Sequence, residues 1–111
     1  MSFKHTKISD IDVIELNGEF DLHSAPDIKK YCKDLLTNNS KKLLFNLKSL
    51  KVIDSSGLAS LVSLIFISQE TLARIKFVNA SSESKKILLL TQMNIKLEVF
   101  ESFDEAVRSF E

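Results

Sequence analysis

Asp54-Ser55-Ser56-Gly57 is where this chain concentrates its chemistry: a carboxylate, two hydroxyls and a glycine stand between L-K-V-I and the apolar run that opens at Leu58. A strand-to-helix turn at this point leaves the first N–H groups of the helix without intrahelical partners. Together with the helix dipole, they stabilise negative charge there. A phosphate suits such a place. Asp54 or Ser55 is the expected N-cap, and capping alone is one complete reading of those two residues. It does not account for Ser56 followed by Gly57. A glycine in a helix gives up roughly 1 kcal/mol of propensity, and what it offers in return is close approach by another backbone or an active site.

The other reactive residue types point to less. Ser56 on a strand-turn-helix elbow with His23 as base would make a hydrolase, but the small residues expected two positions either side are Asp54 and Leu58, so the elbow motif fails. Cys32 falls on an apolar helical stripe and reads as a small core residue. His5 and His23 have no metal-ligand constellation around them and read as surface or turn residues. A glycine-rich phosphate cradle ending in Lys-Ser/Thr is missing, so the chain is not expected to bind ATP on its own, and with no ligand constellation around the histidines no cofactor and no metal are expected.

These residues must be positioned by regular elements. Period-two or short apolar runs at 11–16, 43–47, 75–78 and 97–100, with a weaker one at 3–8, predict five strands. Ile28, Tyr31, Cys32, Leu35 and Leu36 fall at i, i+3, i+4, i+7 and i+8 and predict a first helix. Ser24 with Asp27 forms a capping-box-like start, and Pro26 lies in the first turn. The second helix follows Ile53. At about 100° per residue, Leu58, Leu61, Val62 and Ile65 share one face and Ser56, Ser60, Ser63 and Ile67 the other. Leu64 and Ile67, on or beside that outer stripe, read as packing residues. A third helix is expected near 82–92, with Ile87, Leu88, Leu90 and Met93 inward. Ser102 and Glu105 frame a fourth, whose stripe is Phe103, Ala106, Val107 and Phe110. The order of elements predicts an α/β domain with a mixed, mostly parallel sheet of four to five strands and about four helices, its first two strands paired across Ser9 and Asp10.

At 111 residues the chain fits one domain, 1–111. Lys+Arg and Asp+Glu balance at 15 each, so no overall field draws in nucleic acid or an anionic membrane. The longest apolar stretch, 58–67, is half of the ~20 residues a membrane span needs. One cysteine makes no internal disulfide and no leader-like segment opens the chain, so a reducing cytoplasm is the expected compartment.

Over nearly its whole length the sequence resembles the STAS domain, specifically the stand-alone anti-sigma factor antagonists. G-E-F-D-L at 18–22 is similar to the family's Gly-Glu-hydrophobic-Asp segment before its first helix. L-F-N-L-K-S-L-K-V-I-D-S-S-G-L, from Leu44 to Leu58, resembles its central strand and phosphorylation loop. F-V-N-A at 77–80 and F-E-S-F-D-E-A-V at 100–107 are similar as well. The tetrapeptide alone is only moderately specific; its order and spacing with the other segments are what make the resemblance strong.

The resemblance implies a binding protein rather than an enzyme. Its second serine, Ser56 here, would be phosphorylated by an anti-sigma factor that is itself a serine kinase with a histidine-kinase-like ATPase fold. The unphosphorylated form would capture that kinase and release a sigma factor, and a PP2C-type phosphatase would reset the switch. Asp21, Asp54, Ser55, Ser56, Gly57 and Ser60 are the expected partner-binding residues. Asp21 has a plainer reading as a turn carboxylate, and neither it nor Asp54 is assigned as a base, because sequence shows no proton-transfer geometry. Where many relatives carry a glycine-rich turn after the second helix, this chain has Q-E-T-L-A-R. Two other jobs fit the same fold: a scaffold in a stress-signalling assembly, or the soluble STAS subunit of a transporter.

Overall fold

A computed structural model describes residues 2–89 and 97–111. Within them the elements run β1 (Ser2–Ile8), β2 (Ile11–Phe20), α1 (Ala25–Thr37), β3 (Lys42–Asn46), β4 (Leu50–Ile53), α2 (Ser55–Glu70), β5 (Arg74–Val78), α3 (Ser82–Leu89), β6 (Val99–Phe100) and α4 (Phe103–Arg108). The sheet is ordered β1-β2-β3-β5-β6, with β4 paired to the far end of β2. β1 and β2 form the expected antiparallel hairpin, Ile8 opposite Ile11, with Ser9 taking the left-handed turn at φ 56°. The other pairings are parallel. This is a mixed, mostly parallel α/β sheet with four helices, and it has one strand more than the sequence pattern implies.

The sixth strand is β4. Its four residues, with only Leu50 and Ile53 at the ends buried, show no alternation that would register as a strand, yet they give β2 a second partner. β2 pairs with β3 through Asp12–Glu15 and then with β4 from Gly18 opposite Leu50 to Phe20 opposite Ile53, the register of this second pairing shifting between Gly18 and Glu19. Gly18, at φ +75°, supplies the left-handed conformation that this irregularity uses. The ends of β2 and β4 therefore finish side by side, and the loop after one faces the helix start after the other.

Strand alternation divides the core between the two sheet faces. Ile14, Leu16, Leu43, Phe45 and Phe77 pack with Ile28, Cys32 and Leu36 of α1, Leu61 and Leu64 of α2, and Leu88 of α3. Phe45 and Phe77 stack with ring centroids 5.5 Å apart. On the opposite face Ile11, Val13, Leu44 and Val78 are covered by Ala106 and Phe110 of the C-terminal segment.

Three local expectations change. Ser24 does not cap α1: its hydroxyl donates back to the Glu19 carbonyl at 2.8 Å and accepts from the Asp21 N–H at 3.0 Å. Tyr31, expected on the apolar stripe of α1, is exposed at one wall of a cleft. The faces of α2 are also turned relative to the sequence reading. Gly57, Ser60, Leu61, Leu64, Ile65 and Ser68 are buried, and Ser55, Ala59 and Phe66 look outward. Leu64 is the packing residue expected of it, and Ile67 packs half-buried against the core. Ser102 caps α4 as expected, its hydroxyl accepting from the Glu105 N–H at 3.3 Å. In α3, Leu88 is inward and Ile87 half-buried, while the expected inward Leu90 and Met93 lie outside the described residues.

Candidate functional site

Asp54 organises the turn between β4 and α2. Its backbone is extended, and its carboxylate caps the helix through Oδ1, which accepts from the Gly57 N–H at 2.9 Å. The other oxygen, Oδ2, accepts from the Leu22 N–H at 3.2 Å in the loop that follows β2. One side chain thus ties together two segments 32 positions apart in the chain. The backbone repeats the connection, with Asp54 N–H donating to the Phe20 carbonyl at 3.2 Å.

Gly57 is what allows the two segments to meet. A Cβ built on it would lie 2.3 Å from the Phe20 carbonyl oxygen and 3.1 Å from Ile53 Cγ1. The close approach inferred from a glycine at this position is real, and the backbone that approaches is the chain's own. Phe20 ends β2, so the missing side chain sets how closely α2 can follow the sheet.

Asp21 opens the neighbouring loop. Its Oδ1 accepts from the N–H groups of His23 at 2.9 Å and Ser24 at 3.2 Å, and its carbonyl accepts from Ala25 N–H at 2.7 Å. Desolvation pushes this carboxyl up, but the hydrogen bonds from His23 and Ser24 outweigh it and hold the group below its ordinary 3.8. The side chain shapes the turn that presents Leu22 to Asp54. No hydrogen bond links Asp21 or His23 to Ser56.

Ser55 is exposed and Ser56 half-exposed in the first turn of α2, and neither hydroxyl bonds to another described residue. Both precede the first backbone bond of the helix, Leu58 N–H to Asp54 carbonyl at 2.9 Å, so their N–H groups belong to the unpaired helix end. Asp54, Ser55, Ser56 and Gly57 are one cluster, joined by the Asp21 loop. Ser60 is not part of that surface. It is only 8% exposed and faces the interior one turn further on.

Beside the serines lies a shallow apolar groove along the outer face of α2, formed by Ser55, Leu58, Ala59, Val62, Phe66 and Ile67. Phe66 is 50% exposed, Val52 on β4 52% and Leu22 in the first loop 65%. These exposed apolar residues were missed in the sequence reading. For Phe66 the signal is that α2 is hydrophobic on both sides, which for a helix at the edge of a small domain leaves greasy surface uncovered; Leu22 and Val52 carry no such pattern.

The model of the STAS domain matches residues 3–106. The chain belongs to the STAS domain family. No curated protein matches it in sequence. Among solved structures, this STAS domain superposes on an anti-sigma factor antagonist from Mycobacterium paratuberculosis with TM-score 0.85 and 16% identity, over 97% of this chain and 92% of that one. It superposes on the unphosphorylated anti-sigma factor antagonist SpoIIAA with TM-score 0.80 and 19% identity, over 98% and 96%. The phosphorylated form of the Bacillus protein gives 0.81 at 19%, over 99% and 100%. A sulfate transporter family protein from Wolinella succinogenes gives 0.74 at 19%, over 94% and 87%. The fold is that of STAS domains found in both settings.

The remaining residue types stay outside this site. Burial pushes the Cys32 thiol up to about 12, where it is neither nucleophile nor ligand. Among the described residues no cluster of His, Cys, Asp and Glu could hold a metal ion, and no helix is long and apolar enough to cross a membrane.

Proposed function

We propose that this STAS domain is a phosphorylation-controlled binding module, an anti-sigma factor antagonist whose switch is Ser56. The observation that carries this reading is the unpartnered Ser56 hydroxyl at a helix N-terminus whose cap, Asp54, already has both oxygens engaged. A phosphoryl group on Ser56 adds about −1.5 to −2 charges at pH 7. The unpaired N–H groups of the first turn accommodate that charge within the domain. A partner surface fitted to a neutral hydroxyl meets it as repulsion and desolvation. Binding falls while the fold stays.

In this reading the partner is an anti-sigma factor with serine-kinase activity and a histidine-kinase-like ATPase fold. It docks on the Asp21 loop, the Asp54–Gly57 turn and the apolar groove of α2, and a PP2C-type phosphatase restores the free hydroxyl. Ser60, being interior, contributes to packing beneath this surface. The module binds rather than catalyses, works in the cytoplasm, and spans residues 1–111 as one STAS domain.

The test is to incubate the chain with the candidate anti-sigma kinase of its own genome and ATP, then map the phosphate. Wild type gains one phosphate on Ser56 and Ser56→Ala gains none. Converting 99:1 occupancy to 1:99 requires about 10⁴-fold weaker binding of the modified form. Phosphate on Ser55, or equal retention of both forms by the kinase, would falsify the assignment. The likeness to a sulfate transporter family protein favours one second reading, that of a soluble STAS subunit of a transporter. Affinity capture that recovers a permease and no ATPase-like kinase selects it.

A further inference from the structure

At the end of the domain opposite Ser56, a cleft of about 770 Å³ opens between β1, the start of β2 and α1. That size fits a small organic molecule. In its wall four side chains, Tyr31, His5, Asp12 and Ser40, are joined by hydrogen bonds that run from solvent to the interior. Asp12 is only 4% exposed; its Oδ1 meets His5 Nε2 at 2.8 Å and its Oδ2 accepts from the Ser40 hydroxyl. His5 Nδ1 meets the Tyr31 hydroxyl at 2.6 Å.

The proton positions follow from the partners. A carboxylate only accepts, so His5 Nε2 carries the hydrogen. In the neutral ring Nδ1 is then a lone pair, and the Tyr31 O–H donates to it. This is the order nucleophile, base, orienting carboxylate. Phe3 packs edge-on against the Tyr31 ring at 4.8 Å and His5 at 5.5 Å, which fixes the phenol on the wall of the cleft. A mere tie between β1 and α1 is already made by the Phe3 contact and needs neither a buried carboxylate nor a second hydroxyl to hold it.

We propose that Tyr31 is a covalent acylation site, its hydroxyl activated by His5 and Asp12 to take an acyl group from a neutral activated ester or thioester bound in this cleft. The charges of the lining decide the donor class. Asp10, Asp12 and Asp34 face Lys7 and Lys41, and the Lys41 ammonium is already held by the Thr71 carbonyl. That balance does not gather a polyanion such as a nucleoside triphosphate. In the step, Tyr31 Oη attacks the acyl carbon while its proton passes to His5 Nδ1. The bond from the acyl carbon to the leaving oxygen or sulfur breaks, the leaving group takes the proton back from His5, and Tyr31 is left as an aryl ester. The site is independent of the Ser56 switch, since it sits at the other end of β2.

The test uses the full chain with p-nitrophenyl acetate as acyl donor, peptide mass spectrometry, and hydroxylamine to distinguish labile aryl esters from lysine amides. The expected result is acetylation of Tyr31 about 10²-fold faster in wild type than in His5→Gln, in line with general-base assistance. Tyr31→Phe carries no ester at that position, and lysine labelling is equal in all three. Equal Tyr31 rates in wild type and His5→Gln overturn the proposal and leave a packing contact. If His5→Gln fails to fold by circular dichroism, the native and urea-unfolded wild type are compared, and equal rates there overturn it likewise.

Discussion

Gly57 and Asp54 divide the work of the Ser56 turn between a missing side chain and a doubly used one. Gly57→Ala sets two effects against each other. Helix propensity favours alanine by about 1 kcal/mol, whereas a Cβ at 2.3 Å from the Phe20 carbonyl oxygen requires the end of β2 to move. Overpacking against backbone costs about 1–3 kcal/mol, so Gly57→Ala is expected to lower stability, read as a reduced urea midpoint at unchanged slope; a raised midpoint removes the close-approach argument. Asp21 gives a pH prediction. Its folded-state carboxyl titrates below its ordinary 3.8, so its stabilisation is complete above about pH 4 and is lost as pH falls through the folded value. Asp21→Asn keeps an acceptor oxygen but does not titrate, and its stability is expected to fall less steeply than wild type below that pH in acid titrations followed by circular dichroism. At this scale much was legible: Asp54 as cap, Gly57 as a point of close approach and Cys32 as core follow from residue type and position. Which backbone approaches Gly57 was not, because Phe20 and Gly57 are brought together only by the β2–β4 pairing.

The elements show where sequence periodicity stops being informative. Long patterns came through: the β1–β2 hairpin, the inward face of α1 apart from Tyr31, and the capped start of α4 follow from alternation, i to i+4 spacing and Ser102 with Glu105. β4 did not, because four residues with only Leu50 and Ile53 buried carry no alternation to detect. The rotation of α2 was missed for the opposite reason. A helix apolar on both sides has no strong amphipathic axis, so the pattern places Ser60 on the outer stripe, whereas tertiary packing buries it and leaves Phe66 exposed. That exposed face leads to a prediction. Phe66→Ser removes an aromatic from the surface without opening the core, so stability should stay within about 0.5 kcal/mol of wild type. If the groove is part of the kinase-binding surface, affinity should drop about 10-fold or more, as for an aromatic anchor. Calorimetric titration with the kinase checks this, and unchanged affinity confines the interface to the Ser56 turn.

For the whole molecule, the sheet separates two regions with different tasks. α1, α2 and α3 cover one face and carry the Ser56 turn, while the C-terminal segment closes the other over Ile11, Val13, Leu44 and Val78. That second cover is short, and cations from β5 hold it. Lys76, 3% exposed, donates to the Ser109 carbonyl at 2.8 Å and its hydroxyl at 2.9 Å, pairs with Glu98 at 3.2 Å and lies 4.7 Å from the Phe110 ring centroid. Arg74 adds a bond to the Phe110 carbonyl at 2.6 Å. Lys76→Met keeps length and burial but removes the charge-assisted bonds, each of the class that contributes about 1.5–3 kcal/mol. Glu98 is half-exposed and returns to water, so the loss should sit near the lower end of that range rather than at the larger cost of an orphaned buried charge. Amide exchange should accelerate in α4 while the amides of α2 keep their order of protection. Among the described residues one side-chain bond joins the two regions, Lys85 of α3 to Glu101 at 3.0 Å, and it involves neither Lys76 nor the Ser56 turn, so the proposed Ser56 phosphorylation and kinase release should be unchanged in Lys76→Met. A switch whose midpoint moved with this substitution would instead require coupling through the sheet, and the local charge-repulsion account of Ser56 would then have to include the far face.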